Sequence, residues 1–162
     1  MNVLFLCTGN SARSILAESA LNHWGHGHFK GYSAGSYPKG QVHPMAVDLL
    51  TQLGMPTDGL SSKSWDVFAS PDAPKMDYIF TVCDQAAGEM CPVWPGHPVT
   101  AHWGVSDPAA ATGSTAEQAL AFREAFRILE ARIRCFLTFR FKELDRDELR
   151  RMVTEAGKLM PS

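Results

Sequence analysis

The sequence predicts an α/β fold: a four-stranded parallel sheet flanked by helices. Three observations predict it. Short apolar runs alternate with stretches of helical apolar spacing along the chain. The first run, Val3-Leu4-Phe5-Leu6, is too short for a helix and reads as a strand buried on both faces, as parallel sheets require. The residues able to do chemistry fall just after such runs, at the carboxyl ends where open α/β sheets hold their ligands. At 162 residues the chain is expected to be one domain, with a core over 1–141 and a helical extension over 142–162.

Each element has a local reason. Residues 14–21 carry the apolar spacing of an amphipathic helix. Residues 29–35 read as a second strand closed by a glycine turn, and Pro38, Gly40 and Pro44 mark a loop. Pro44 suits the first turn of a helix over 45–53, which Gly54 and Pro56 stop. After a polar link at 60–64, residues 77–83 form a third strand rich in β-branched and aromatic side chains, and 99–103 a fourth. A long helix begins near Ser114, where Glu117 completes a capping box. Leu120, Phe126, Leu129, Ile133, Phe136 and Leu137 are expected to face the sheet. In the tail, Leu144, Leu149, Met152 and Ala156 have helical spacing and predict one more helix capping the domain.

The segment Cys7-Thr8-Gly9-Asn10-Ser11-Ala12-Arg13-Ser14 joins the first strand to the first helix. Backbone N–H groups of residues 8–13 can fold into a nest aimed at one spot, and the helix start adds positive potential there. Arg13 supplies a planar fork suited to an oxyanion. A thiol in that field is expected to ionise readily, with Ser14 one residue past the arginine as a further donor. The segment therefore reads as a nucleophile inside the pocket for its tetrahedral oxyanion. The plain alternative is a buried strand-end cysteine and a surface arginine, which the strand before and the helix after disfavour.

Composition narrows the function classes. The net charge of −2 gives no general attraction to nucleic acid or anionic membrane. No apolar run approaches membrane-span length, and the chain opens directly on a strand. Four cysteines without a secretion signal point to reactive thiols in a cytoplasmic protein, expected as a monomer or weak dimer. Cys83 closes the third strand and Cys91 follows eight positions later, outside any CxxC pair that would favour zinc. Thiol exchange explains the layout better: Cys83 attacks a sulfur on Cys7, and Cys91 then attacks Cys83. A helix would hold residues eight apart at roughly 12 Å, against about 7 Å between Cα atoms in a disulfide, so residues 84–91 are expected to unwind partly during turnover. Cys135, beside Phe136 on the long helix, reads as packing. His23, His26 and His28 read as solvated.

The stretch VLFLCTGNSARS resembles the active-site loop of the low-molecular-weight protein tyrosine phosphatase fold. Its Thr8-Gly9-Asn10-Ser11 wording is similar to the arsenate reductase branch, and Ala12 stands where the phosphatases usually carry a second loop cysteine. Cys83 and Cys91 resemble the relay pair of thioredoxin-coupled arsenate reductases, at a spacing one residue longer than in the best-known members. The resemblance implies a phosphatase-like fold with an extra C-terminal helix. It implies reduction of arsenate to arsenite by Cys7, Arg13, Cys83, Cys91 and Asp107, the anion being held by Thr8, Gly9, Asn10, Ser11, Ala12, Arg13 and Ser14.

Asp107, in the loop His102-Trp103-Gly104-Val105-Ser106-Asp107-Pro108, resembles the general acid of this fold, with His102 and Trp103 ordering the loop. No tightly bound cofactor or metal is implied, only an external thiol reductant (thioredoxin, or glutaredoxin with glutathione). Asn10, Glu18 and Ser33 fall where some relatives assemble a potassium site, and Lys63 falls on its fourth position, where an ammonium would replace the ion. Two rivals remain: a phosphatase of the same fold, whose Cys7 adduct is resolved by water, and a non-enzymatic thiol protein binding arsenite or a soft metal. No tandem tyrosines follow Asp107-Pro108, where the phosphatases commonly recruit aromatic substrates.

Overall fold

The computed structural model describes residues 1–83 and 94–161. Strands β1 (Asn2–Leu6), β2 (Lys30–Ala34), β3 (Tyr78–Thr81) and β4 (Val99–His102) form one sheet in the order β2-β1-β3-β4, every neighbouring pair parallel. Four helices are described around it: α1 (Arg13–Trp24), α2 (Pro44–Gln52), α3 (Thr115–Phe136) and α4 (Arg146–Ala156). Period-2 alternation divides β1 between two apolar layers. Val3, Phe5 and Cys7 enter a large core shared with α1 and α3, while Leu4 and Leu6 enter a smaller one with Ala34, Phe68, Met76, Ile79 and Trp94. Both faces of β1 are thus covered, as its unbroken apolar run predicted.

The third strand is shorter than expected, ending at Thr81, although Val82 N still donates to Leu6 O at 2.8 Å. The helix starts follow their caps. His43 Nδ1 accepts from Met45 N at 3.1 Å with Pro44 at the first helical position. Ser114 and Glu117 close the predicted capping box, and Asp145 with Glu148 closes a second one at α4. One expectation for α3 fails. Leu120 is 64% exposed, whereas Phe122, Ala125 and Phe126 are buried. At 3.6 residues per turn Leu120 lies about 120° around the helix from Phe126, so only the later apolar residues share the buried face.

Trp103, fully buried just beyond β4, organises the carboxyl side of the sheet. Its ring stacks on Phe80 with centroids 4.1 Å apart, a contact worth about 0.5–1.5 kcal/mol beyond area burial. Its Nε1 donates to Val153 O of α4 at 2.8 Å. A side chain at Gly157 would collide with the Trp103 ring, so glycine is required where the chain leaves α4. On α4 itself Val153 and Ala156 are buried, and Leu149 and Met152 are half-buried.

Candidate active site

Cys7 follows β1 directly, its N–H donating to Ala34 O at 3.2 Å. The loop beyond it turns at Asn10, whose φ of 44° is a left-handed conformation that asparagine tolerates better than most residues. The fully buried Asn10 side chain fixes that turn: Nδ2 donates to Ser14 Oγ at 2.8 Å, and Oδ1 accepts from Lys63 N at 2.8 Å. Three loop carbonyls are tied to the surrounding chain. Thr8 O accepts from Tyr37 N at 3.0 Å, Gly9 O from Lys39 N at 3.0 Å, and Ser11 O from His43 N at 2.9 Å. In a trans peptide the N–H opposes the carbonyl, so these bonds turn the amides of Gly9, Asn10 and Ala12 toward the concave side. Gly35 backs the loop so closely that any side chain there would collide with the carbonyl oxygens of Cys7 and Thr8.

The concavity holds about 240 Å³ and is lined by Cys7, Thr8, Gly9, Ser11, Ala12, Arg13, Lys39 and Asp107, among others. Ala12 occupies the N-cap of α1 and carries no capping group, which leaves first-turn N–H groups for an anion. Arg13 Nη1 donates to Val105 O at 2.8 Å, and Nη2 lies 3.8 Å from Asp107 Oδ2. Its Nε is buried and finds no partner among the described residues. That orphaned donor is the group an oxyanion would satisfy. A wider cavity of about 820 Å³ lies among Met1, Trp24, Phe29 and Phe141, away from this chemistry.

Cys83 lies beside Cys7. Its Sγ accepts from Thr8 N at 3.3 Å and lies 3.6 Å from Thr8 Oγ1. The Cys7 and Cys83 side chains are hydrogen-bonded to each other, and both residues are buried. This contact corrects one expectation. The Cys7 thiol is not acidified but held above the ordinary thiol range, first by the bond to Cys83 and then by burial, against the lowering by Arg13 and the Gly9 N–H. The loop does supply the lowering influences read from sequence; the neighbouring thiol outweighs them.

Asp107 caps the short 3₁₀ turn Pro108–Ala110, its Oδ1 accepting from Ala109 N at 3.0 Å. The aspartate, the arginine and the cysteine thus share one pocket although 94 positions of chain separate Asp107 from Arg13. Thr81 Oγ1 and His102 Nδ1 pair at 2.8 Å at the base of the same loop. Ser14 is fully buried with its oxygen accepting from Asn10, so its own O–H remains a donor. Cys135 is half-buried against the core, as a packing residue should be. Cys91, with the whole of the 84–91 segment expected to unwind, lies outside the described residues.

Lys39 was not singled out by the sequence. It reaches the pocket from the loop after β2, its stem packed on Gly9. A Pro-Lys-Gly turn following a strand end was the signal, and it is a common one.

Behind the loop, the residues do not fit a potassium ion. Lys63 Nζ donates to Ser33 O at 2.9 Å and Ser61 O at 2.7 Å, so an ammonium already holds carbonyls that an ion would need. Ser33 Oγ donates to Glu18 Oε1. Burial raises the Glu18 pKa while Ser33 and Lys63 draw it down, and burial lowers that of Lys63 while Glu18 raises it.

Comparison with known proteins agrees with this geometry. The model of the low molecular weight phosphotyrosine protein phosphatase family matches residues 2–150. An arsenate reductase of Bacillus subtilis (strain 168) is 37% identical over 125 residues, 77% of this chain and 86% of that protein. An arsenate reductase of Shouchella clausii (strain KSM-K16) is 34% identical over 134 residues, 83% of this chain and 93% of that protein. Among solved structures, a Corynebacterium glutamicum thioredoxin-dependent arsenate reductase shares the fold with a TM-score of 0.59 at 24% identity, over 82% of this chain and 58% of that one. With the strand–loop–helix pocket and this span of likeness together, the chain belongs to the low molecular weight phosphotyrosine protein phosphatase family.

Proposed function

We propose that this chain reduces arsenate to arsenite through successive sulfur chemistry at Cys7, Cys83 and Cys91. The observation that carries the reading is a second buried thiol, Cys83, held by the N–H of Thr8 at 3.3 Å beside the Cys7 of an oxyanion pocket. A hydrolase of this family needs the cysteine, the arginine and the acid, but not a second thiol against the nucleophile. The curated relatives named as arsenate reductases support the same choice.

In this reading the tetrahedral anion sits on the amides of the loop 8–14, with Arg13 and Lys39 balancing its charge. Cys7 Sγ attacks arsenic and one oxygen departs, protonated by Asp107, because hydroxide is a poor leaving group. Cys83 Sγ then attacks Cys7 Sγ. The sulfur–arsenic bond breaks, its electron pair stays on arsenic, and arsenite leaves a Cys7–Cys83 disulfide behind. Cys91 attacks Cys83 Sγ, which frees Cys7 and forms a Cys83–Cys91 disulfide. An external dithiol of the thioredoxin kind, or another cytoplasmic thiol system, reduces that bond and is itself oxidised.

Cys7 is held above the ordinary thiol range, so its attack on arsenic requires that the thiol give up its proton, and the bound oxyanion is a base within reach of it. The test is arsenate-dependent oxidation of NADPH coupled through a thioredoxin system, in wild type and in Cys7→Ser, Cys83→Ser and Cys91→Ser. Loss in all three variants supports the internal relay. Loss in Cys7→Ser alone would instead favour a phosphatase-like site served by outside thiols.

A further inference from the structure

Arg132 is buried at 4% exposure on the inner face of α3, where a charge needs strong compensation. The bonds that hold it run to backbone oxygens of two separate segments. Nη1 donates to Trp103 O at 3.0 Å and Gly104 O at 3.2 Å, and Nε donates to Leu159 O at 3.1 Å. Nη2 lies 3.6 Å from Met160 Sδ. The first pair of carbonyls begins the loop that carries Asp107; the others follow α4. The loop's far side is held at Val105 O by Arg13. Its backbone is therefore pinned from behind by one guanidinium and from the pocket by another. A cavity of about 380 Å³ is lined by Gly104, Asp107, Ile128, Arg132 and Met160, so the loop and the segment after α4 border one space.

We propose that Arg132 is a positioning residue that couples the segment after α4, at Leu159 and Met160, to the protonation step performed by Asp107. Trp103 also touches this end of the chain, through Val153 O and Gly157, whereas Arg132 hydrogen-bonds both segments with one side chain. A planar fork is needed because three acceptors approach from different directions, which one lysine ammonium on a flexible stem serves poorly. The inference rests on the reading of Asp107 as the general acid.

Two variants test it: Arg132→Lys, and a chain ending at Gly157. The shortened chain removes the Leu159 and Met160 contacts but no buried side chain among the described residues: Lys158, Leu159 and Met160 are exposed and Pro161 is half-buried. Each is made alone and with Asp107→Asn, and thermal melting confirms folding. The measurements are the single-turnover rate of arsenite formation at saturating arsenate and the affinity for competing phosphate. We expect the rate to fall about tenfold in either variant, a fraction of the full contribution of a placed acid, with phosphate affinity within about twofold. In the Asp107→Asn background the same changes should cost nothing further, because the group they position is gone. A folded shortened chain with wild-type rate, or an equal loss with and without Asp107, would overturn the coupling. Wild-type protein that does not turn over arsenate would overturn the proposed function instead, and the comparison is then read on aryl phosphate hydrolysis in the same pocket.

Discussion

Cys83 Sγ accepts a hydrogen bond from the backbone N–H of Thr8, at 3.3 Å, so the residue after the nucleophile holds the second thiol in place. The end of β1 and the end of β3 are adjacent strands of one sheet, which makes this meeting a consequence of topology. Sulfur exchange between Cys7 and Cys83 then requires little backbone movement.

Removing the partner should acidify the nucleophile. Cys7 is held high first by its bond to Cys83, so Cys83→Ala leaves Arg13 and the Gly9 N–H to act with less opposition. A thiol reacts as thiolate, so its alkylation rises as pH climbs through its pKa; each unit of lowering gives about tenfold more thiolate below that point. Alkylation of the Cys7 peptide by iodoacetamide, followed by mass spectrometry across pH, should shift to lower pH in Cys83→Ala. Superimposable profiles would contradict the coupling.

Exchange of sodium for potassium should leave the arsenate reduction rate unchanged, because the Lys63 ammonium occupies the position behind the loop. A clear rise in potassium would show that an ion still binds there. Lys63→Met should cost about 1–2 kcal/mol, the strength of charged hydrogen bonds discounted for partial exposure. The loss has a defined pH sense. Glu18 has a raised folded pKa, so its neutral form adds stability in acid that is lost as pH rises through that pKa. Without Lys63 the Glu18 pKa rises further. Urea unfolding should therefore show a larger penalty near neutrality than at acid pH; a penalty independent of pH would argue against the pairing.

Asp107→Asn should slow the first chemical step by about 10²–10⁴, the usual contribution of a placed acid. Anion affinity should hold, since Arg13 and the loop amides that bind the anion are unchanged. Single-turnover kinetics with phosphate competition separate the two. An unchanged rate would remove Asp107 from the chemistry.

Lys39→Ala should weaken anion binding by about tenfold with little effect on the rate at saturation, as expected for a charge that attracts but does not react. The wild-type affinity should also fall more steeply with salt than that of the variant. Equal affinities would reduce Lys39 to a packing role against Gly9.

What could be read from sequence was the local physics. The unbroken apolar run from Val3 to Leu6 revealed a strand covered on both sides, and Ser114 with Glu117 marked the start of α3 within a residue. The Cys7–Arg13 loop was legible because strand, nest and helix N-terminus are consecutive in the chain. Leu120 was misplaced by counting apolar residues without following the 3.6-residue turn through to Phe126. Arg132 and Lys39 were invisible because their partners, Trp103, Leu159 and Gly9, lie 27 to 30 positions away. The Cys7 pKa was read with the wrong sign for the same reason. The lowering groups are neighbours in sequence, whereas the raising group arrives from another strand.

The central claim is that one protein chain supplies the electron pair that converts arsenate to arsenite. Fully reduced protein, freed of outside thiols, is mixed with arsenate, and arsenite and disulfide-linked peptides are quantified together. The account predicts close to one arsenite per chain, a transient Cys7–Cys83 link and its replacement by Cys83–Cys91. Arsenite formed only after an external thiol is added, with neither link detected, would contradict it.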